Sequence, residues 1–201
     1  RGLVSLVGVG PGDPGLLTLR GARVIARADT VLYDALVHPA VLRHARPDAE
    51  LLYAGKRRGQ DSATQDEINH MLLLRARQGR HVARLKGGDP LLFGRGAEEC
   101  EFLAAHDVAF EVVPGVTAAL GATAYAGIPL SHRERSSSIA LVTSTERPDK
   151  PGSAHDWSRL ATATQTLVLY MGVHRLRDDM ATLVAHGRAP AVKDAAQEFA
   201  D

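Results

Sequence analysis

Two glycine-rich loops hold the residues of this chain that are best placed to bind a ligand. The first loop, GVGPGDPG at residues 8–15, follows an apolar run and precedes a helix-like segment. A dinucleotide fingerprint needs a third glycine for close helix packing, but Asp13 stands there and its carboxylate would repel a pyrophosphate. Pro11 and Pro14 also remove two backbone N–H donors that a phosphate would use. The loop therefore disfavours a phosphate ligand and an NAD-dependent enzyme.

A cofactor without a pyrophosphate suits this loop better. S-adenosylmethionine carries an adenine, a ribose, a sulfonium cation and an amino acid end, so glycines that permit close backbone approach can hold it without an anion clamp. The second loop, GGDPLLFGRG at residues 87–96, also follows a strand candidate and leads into a helix candidate. Ligands in open α/β sheets bind at the carboxyl ends of strands, so both loops are predicted to face one cleft. Each loop alone is also consistent with a structural turn.

Strand and helix patterns alternate along the chain. Apolar runs predict strands at 3–9, 30–33, 50–53, 81–85, 110–113, 138–143 and 166–170. Helices are predicted at about 16–28, 64–79, 96–106, 116–126 and 173–186, and a surface loop at 146–157. This alternation predicts an α/β fold on a largely parallel sheet. Pro114 and Gly115 interrupt the chain, so we predict an N-terminal α/β domain over 1–113 and a C-terminal α/β domain over 114–201.

Composition excludes several classes of protein. The apolar fraction is 45%, and no apolar stretch approaches the roughly 18 to 20 residues of a membrane span. No signal-peptide pattern is present, and the single cysteine, Cys100, excludes an internal disulfide, so a cytoplasmic protein is expected. A net charge of +1 gives no general attraction to nucleic acid. The nine histidines form no H-E-x-x-H motif, so no metal site is predicted.

Taken together, the motifs resemble those of the tetrapyrrole methylases. The matching segments, in chain order, are GVGPGDPGLLTLRG, VLYDALVHP, GKRRG with DEIN, RLKGGDPLLFGRGAEE, EVVPGVTAALGATAYAGIPLSHR and LVLYMG. They run from about residue 3 to about residue 186. The resemblance implies two α/β domains with mixed, largely parallel sheets, with S-adenosylmethionine in the cleft between them, and a homodimer. It also implies methylation of uroporphyrinogen III at carbons C2 and C7, giving precorrin-2 for sirohaem and cobalamin and S-adenosylhomocysteine as the second product.

The resemblance also implies roles for individual residues. The proton acceptor matches Asp34 of LYDALV, and the proton donor matches Lys56 of GKRRG. Positioned side chains of these types suit a reaction in which an electron-rich pyrrole carbon attacks a sulfonium methyl group and a proton must later leave. Among the basic residues near the motifs, Arg57, Arg95 and Arg133 are expected to bind the substrate carboxylates, with Arg58, Arg84 and Arg135 as further candidates. The implied cofactor contacts are Pro11, Gly87, Gly88, Asp89, Leu92, Thr117, Ala118 and Met171.

The sequence departs from the family pattern after Met171 and Gly172. The family continues there through further strands and a G-T-x-x-Q-R segment, whereas this sequence reads HGRAPAVKDAAQEFAD and ends at Asp201. The C-terminal domain is therefore expected to be incomplete. Two alternatives stay open: a methylase of a later precorrin, and a non-catalytic chain that binds S-adenosylmethionine or a tetrapyrrole without turnover.

Overall fold

The chain alternates strands and helices, as its apolar pattern predicts. The computed structural model describes residues 2–55, 63–144 and 155–189. The strands are β1 (Leu3–Gly8), β2 (Thr30–Tyr33), β3 (Glu50–Tyr53), β4 (His81–Lys86), β5 (Ala109–Val113), β6 (Ile139–Thr143) and β7 (Thr166–Tyr170). The helices are α1 (Leu19–Ile25), α2 (Gln65–Arg77), α3 (Gly96–Ala105), α4 (Ala118–Tyr125), α5 (Trp157–Ala163) and α6 (Leu176–Ala185).

Several helical features differ from the sequence-based prediction: 3-10 turns not predicted from the sequence occupy Pro39–His44 and Val173–Arg175, so the helix predicted from residue 173 begins at Leu176. The helix predicted from residue 16 is shorter, because a 3-10 turn over Pro14–Leu16 precedes α1. Helix α5 was not predicted; it follows directly on the segment interpreted as a surface loop, and the Asp156 side chain caps it by accepting the Arg159 N–H. The predicted capping box is confirmed, since Thr64 and Glu67 exchange side-chain and backbone hydrogen bonds at the start of α2.

Five parallel strands form one sheet in the order β3-β2-β4-β1-β5. Strand β4 therefore lies between β2 and β1, although it follows β3 in the chain. Every strand pair in the described part of the chain is parallel, which agrees with the predicted fold class. Parallel sheets of this kind are covered on both faces, which explains the near-continuous apolar sequence of β1.

The two faces of this sheet carry separate apolar clusters. One cluster packs against α1 and consists of Val7, Val9, Ile25, Ala28, Val31, Val37, Val41, Ala83, Leu85 and Val113. The other packs against α2 and α3 and consists of Val4, Leu6, Leu32, Ala54, Ile68, Leu72, Ala76, Val82 and Leu103. Side chains alternate between faces along a strand, so Arg84 and Lys86 of β4 lie on the same face as Val82, beneath α2 and α3.

The chain divides into two compact units, Arg1–Gly121 and Ala122–Asp201. The first unit contains the five-stranded sheet. The second contains the parallel pair β6 and β7, with α5 and α6. The first unit extends past residue 113, and the predicted domain division at 113/114 stays a prediction. No helix in the described ranges is both long and apolar enough to cross a bilayer.

Candidate functional site

The carboxyl ends of β1 and β4 lie side by side at the point where the chain connections change from one face of the sheet to the other, and we refer to this part of the sheet edge as the crevice. These two strands are neighbours in the sheet, but β1 leads to α1 on one face and β4 leads to α3 on the other. Chain connections that leave adjacent strands toward opposite faces open such a crevice, and ligands of open α/β sheets bind there. Gly10 and Gly88 exchange backbone hydrogen bonds of 3.3 and 2.7 Å, so the two glycine-rich loops adjoin as the sequence predicts.

Close backbone approach explains the glycines of this crevice. A Cβ on Gly8 would lie only 2.6 Å from the backbone nitrogen of Gly115, in the loop after β5. A Cβ on Gly115 would in turn meet the carbonyl oxygen of Gly88. Gly88 has a φ of +67°, in the left-handed region that side chains disfavour. The loops after β1, β4 and β5 therefore meet through their backbones, and a side chain at these positions would separate them.

Asp89 ties the loop after β4 to the loop after β5. Its Oδ1 accepts the N–H of Leu91 at 2.9 Å, and its Oδ2 accepts the N–H of Gly115 at 3.1 Å. A Cβ on Gly88 would lie 3.8 Å from the Cα of Thr117 and 3.9 Å from the nitrogen of Ala118. The polar backbone of these loops is thus held in a fixed arrangement around the crevice.

The predicted cofactor residues of the first unit are mostly brought together here. Pro11 contacts the backbone of Gly121 on α4, since a Cβ at Gly121 would meet the Pro11 ring. The residues placed at the crevice are Pro11, Gly87, Gly88, Asp89, Thr117 and Ala118. Leu92 is half-buried in the turn between β4 and α3, and Met171 lies in the second unit. Their role in cofactor binding stays a prediction.

Asp13 has a local structural role in the first loop. Its Oδ1 accepts the N–H of Gly15 at 2.7 Å and caps the 3-10 turn over Pro14–Leu16. The carboxylate therefore occupies a backbone donor that a pyrophosphate would need. This contact supports the sequence-based argument against a dinucleotide.

Asp34 lies just beyond β2, at the same end of the sheet. Its Oδ1 accepts the N–H of Leu36 at 3.0 Å, and its Oδ2 accepts a hydrogen bond from Arg84 at 3.2 Å. The Asp34 side chain is 25% exposed, so the carboxylate is accessible while both of its oxygens are held. A Cβ on Gly87 would lie 2.9 Å from the Leu36 Cβ, which places the loop after β2 against the loop after β4. Asp34 thus borders the crevice.

Three buried charged residues, Arg84, Lys86 and Glu99, lie on the face of the sheet beneath α2 and α3 and connect to Asp34 through Arg84. We refer to these three residues together with Asp34 as the buried ion cluster. The Glu99 side chain on α3 is fully buried, and its Oε1 accepts hydrogen bonds from Lys86 Nζ at 2.8 Å and Arg84 Nε at 3.4 Å. Gln65, at the start of α2, donates to the same oxygen at 3.2 Å. The two cations and two carboxylates balance in formal charge.

Lys86 has a lowered pKa because it is buried. Desolvation and the nearby positive charge of Arg84 lower the pKa of the Lys86 ammonium, and the Glu99 carboxylate opposes this shift. Lys86 directly precedes Gly87 at the end of β4. A cation that is this deeply buried depends on its counter-ion, so Lys86 and Glu99 form one unit.

The remaining predicted site residues do not belong to the group of residues described above at the crevice. Lys56 and Arg57, with Arg58, lie outside the described residues. Arg95 is exposed before α3, has a φ of +57° and pairs with Glu98 at 2.5 Å. Arg133 is exposed within the turn closed by the His132–Ser136 bridge of the second unit, and Met171 is 56% exposed with a φ of +56°. Non-glycine residues in this backbone region carry strain that is often found at functional sites.

The buried ion cluster was only partly visible in the sequence. Arg84 was a candidate for the rim of the cleft, but it is 3% exposed and bonded to Asp34, so it is a buried group instead. Glu99 was not singled out. The signal in the sequence is the alternation of Arg84 and Lys86 in an otherwise apolar strand, which places two cations on one buried face and requires a carboxylate nearby.

Large exposed apolar side chains lie on the loops after β2 and β4, and metal-binding groups are not clustered within the described residues. Leu36 is 74% exposed, Leu91 57% and Phe93 40%, all on the loops after β2 and β4. Exposed apolar side chains around a polar crevice are typical of binding sites for large, partly apolar ligands. Within the described ranges, no three His, Cys, Asp or Glu side chains lie together in a way that could hold a metal ion.

Comparison with known proteins gives consistent matches over nearly the whole chain. The family model described as Tetrapyrrole (Corrin/Porphyrin) Methylases matches residues 3–197, which is further than the resemblance was expected to extend. Siroheme synthase 1 of Serratia proteamaculans is 54% identical over 94% of this chain, but the match covers 39% of that protein. The chain thus spans about two fifths of the length of the curated relatives it matches.

Solved structures share the fold. The crystal structure of uroporphyrin-III C-methyl transferase from Thermus thermophilus complexed with S-adenyl homocysteine is 43% identical, with a TM-score of 0.77 over 93% of this chain and 73% of that chain. A cobalt precorrin-4 methyltransferase is 29% identical, with a TM-score of 0.80 over 93% of this chain and 76% of that chain. The predicted fold class is confirmed by both structures.

Proposed function

Because the chain belongs to the tetrapyrrole (corrin/porphyrin) methylase family, we propose that it methylates uroporphyrinogen III at C2 and C7 with S-adenosylmethionine and yields precorrin-2. The observation that carries the proposal is that the loops after β1 and β4 meet through the Gly10–Gly88 backbone bridge, while the loop after β2, which carries Asp34, packs against Gly87. The 43% identity to a uroporphyrin-III C-methyl transferase that binds S-adenyl homocysteine supports the same substrate and cofactor.

The crevice fits S-adenosylmethionine by its chemistry. Its walls are glycine backbones, Pro11 has no N–H to donate, and the Asp13 and Asp89 carboxylates already accept the N–H groups of Gly15 and Gly115 that a phosphate would use. Gly87, Gly88, Thr117 and Ala118 would hold the cofactor through backbone contacts at short range. When bound, S-adenosylmethionine supplies an electrophilic methyl group on its sulfonium.

Asp34 is the group that we assign as the proton acceptor. Each methyl cation that the substrate gains is balanced by a proton that leaves the tetrapyrrole, and a positioned carboxylate can take this proton. One lone pair on each Asp34 oxygen is used by Leu36 or Arg84, and a carboxylate oxygen has a second lone pair available. Lys56 as the proton donor is proposed on the resemblance alone.

Exposed arginines are proposed to bind the substrate carboxylates. The Arg95–Glu98 pair has side chains 55% and 52% exposed, and such a pair contributes little stability, so a substrate carboxylate can displace Glu98 from Arg95. Arg133 and Arg57 are proposed as further carboxylate ligands on the resemblance alone. The apolar side chains of Leu36, Leu91 and Phe93 suit the pyrrole rings.

The test is anaerobic incubation of the chain with uroporphyrinogen III and S-adenosylmethionine, with the tetrapyrrole mass followed over time. We expect a gain of two methyl groups, and a rate about 100-fold lower in Asp34→Asn, as expected on losing an acid–base group. Binding of S-adenosylhomocysteine should be unchanged in this variant. Asp48→Asn is the matched control, because Asp48 pairs with Arg46 on the surface at the other end of the sheet.

Other outcomes distinguish the alternatives. The cobalt precorrin-4 methyltransferase shares the fold at 29% identity, which keeps a later precorrin as the second candidate substrate. Methylation of a later precorrin, with no methyl transfer to uroporphyrinogen III, would support that alternative. Tight cofactor binding without any methyl transfer would indicate a binding protein, and failure to bind S-adenosylhomocysteine would contradict the proposal.

Assembly and location complete the proposal. A homodimer is proposed from the resemblance, and sedimentation equilibrium of the chain would measure it. A cytoplasmic location is proposed from the single cysteine, which suits a reducing compartment. The naming of the curated relatives as siroheme synthases supports use of the product for sirohaem.

A further inference from the structure

Each of the three nitrogens of the Arg84 guanidinium donates a hydrogen bond, although Arg84 lies near the end of an interior strand. Its Nη2 donates to Asp34 Oδ2 at 3.2 Å, its Nη1 to the Leu85 carbonyl at 2.9 Å, and its Nε to Glu99 Oε1 at 3.4 Å. The side chain is 4% exposed. A planar guanidinium bonded through three nitrogens to three different groups cannot rotate without breaking at least two of these bonds.

The strand register explains why Arg84 reaches Asp34. Leu32 of β2 pairs with Arg84 of β4, and Asp34 follows two residues later. Residues two apart on a strand point to the same face, and diagonal neighbours on adjacent strands lie within reach of long side chains. The sheet therefore sets the distance between the guanidinium and the carboxylate, while Leu36 holds the other carboxylate oxygen.

We propose that Arg84 is a positioning residue that fixes the Asp34 carboxylate toward the crevice, and that Glu99 holds Arg84 in place for this task. The inference rests on the proposed function, because it takes Asp34 as the proton acceptor. Asp34 lies on a loop, and a loop carboxylate held by one backbone N–H alone would have freedom to turn. Arg84 lies on the rigid strand β4, and its hydrogen bond to the second carboxylate oxygen restricts this rotation.

Charge and burial make Glu99 necessary to this arrangement. Asp34 is 25% exposed, whereas Glu99 is fully buried and contacts both cations. If Glu99 were absent, Arg84 and Lys86 would repel each other with Asp34 as the remaining carboxylate of the cluster, and the Arg84 side chain would lose its Nε bond. Buried ion clusters add little stability compared with apolar packing, so a positioning role is the better explanation for this one.

The test compares Arg84→Met with Arg75→Met in the 201-residue chain. Arg75 is a matched control, because it likewise donates two hydrogen bonds to carboxylate oxygens, in its case both to Glu50 at the opposite end of the sheet. We expect kcat to fall about 100-fold in Arg84→Met, as a misplaced catalytic group does. The KM for uroporphyrinogen III and the Kd for S-adenosylhomocysteine should change less than about 3-fold. Arg75→Met should keep the wild-type kcat.

A second variant, chemical rescue and crystal structures distinguish a positioning role of Arg84 from a role in folding alone. Arg84→Lys keeps the positive charge for Glu99, but its donors sit on one nitrogen and lack the planar fork that reaches Asp34, Glu99 and the Leu85 carbonyl from three nitrogens. The kcat should therefore fall about 10-fold while the chain stays folded. Ethylguanidinium added to Arg84→Ala should restore part of the lost kcat. Crystal structures should show the Asp34 carboxylate turned away from its wild-type position in Arg84→Met and unmoved in Arg75→Met.

Three results would overturn the inference. One is a wild-type kcat in both Arg84 variants. Another is an equal loss of kcat, cofactor affinity and unfolding free energy, since that indicates a purely structural role. The third is an unmoved Asp34 carboxylate in Arg84→Met. A wild-type chain that transfers no methyl group to uroporphyrinogen III refutes the proposed function, and this inference with it, whereas an active wild type with unaffected Arg84 variants refutes the inference alone.

Discussion

The two ends of the five-stranded sheet each hold a glutamate between two cations, but in different surroundings. At the amino end, Glu50 accepts hydrogen bonds from Arg75 at 2.7 and 2.8 Å and from Arg80 at 2.6 Å, and its side chain is 32% exposed. At the carboxyl end, Glu99 is fully buried, and its Oε2 has no hydrogen-bond partner among the described residues.

This difference separates a stabilising ion pair from a costly one. Glu50 keeps part of its hydration, and its arginines hold its pKa at about 2, far below the ordinary 4.5. Glu99 and Lys86 of the buried ion cluster have lost their hydration, and this desolvation is the main cause of the lowered pKa of Lys86. A cluster of this kind contributes little to folding but fixes side chains in place, and it lies at the end of the sheet where ligands bind.

The largest expected effect is on stability, from removing the central carboxylate of the buried ion cluster. Glu99→Leu leaves Arg84 and Lys86 buried without their shared counter-ion and should lower the free energy of unfolding by about 3–5 kcal/mol. Urea unfolding measures this value. The triple variant with Arg84→Met and Lys86→Met should recover most of the loss, because no unpaired buried cation remains. A loss below about 1 kcal/mol in Glu99→Leu would remove the contrast with Glu50.

Backbone contact between loops gives the next effect, on cofactor affinity. Gly115→Ala places a methyl group against the Gly88 carbonyl and should separate the loops, raising the Kd for S-adenosylhomocysteine at least ~10-fold. Isothermal titration calorimetry measures this affinity. Gly79→Ala is the control from the amino end, where φ is +80° and no atom lies within 4 Å of the added Cβ. It should cost about 1 kcal/mol of stability and leave the Kd unchanged. Equal Kd values in both variants would contradict the assignment of the crevice.

The smallest effect concerns the pH dependence of stability through Glu50. Its folded-state pKa is depressed from 4.5 to about 2, so its contribution is present above pH 4.5 and is lost as the pH falls toward 2. Glu50→Gln should therefore lower the unfolding free energy by about 1 kcal/mol at pH 7, a value reduced by solvent screening. Thermal unfolding at pH 7 and at pH 2 checks this, since the difference between wild type and variant should shrink to a small fraction at the lower pH, where about half of the folded molecules carry a protonated Glu50. An equal difference at both pH values would show that packing, not charge, is responsible.

Much of the fold was predictable because its signals are local. The apolar runs of β2, β3 and β7 have the predicted bounds, and β5 ends at Val113, directly before Pro114. The capping box at Thr64 likewise follows from residues three positions apart. Helix α5 was missed because its seven residues follow a loop-like segment and carry little apolar periodicity.

The parts of the site that consist of glycine-rich loops at strand ends were predictable from the sequence. Both glycine-rich loops follow parallel strands whose carboxyl ends meet at one edge, and the Gly10–Gly88 bridge brings them together there. That they face one cleft stays a prediction. Glu99 could not be found in the same way. It contacts Lys86 from thirteen residues away across a helix–sheet interface, and nothing in its own segment, GAEECEFLAA, marks it as buried.

The sequence by itself determined the order of elements, the two glycine-rich loops and the poor fit of the first loop to a dinucleotide. Propensity, periodicity and the loss of N–H donors at proline are properties of neighbouring residues. Only the tertiary structure decided that β4 lies between β2 and β1, and therefore that Arg84 stands beside Asp34 and beneath Glu99. Strand order depends on how distant segments bury their apolar faces together, and the buried charges are arranged by that packing.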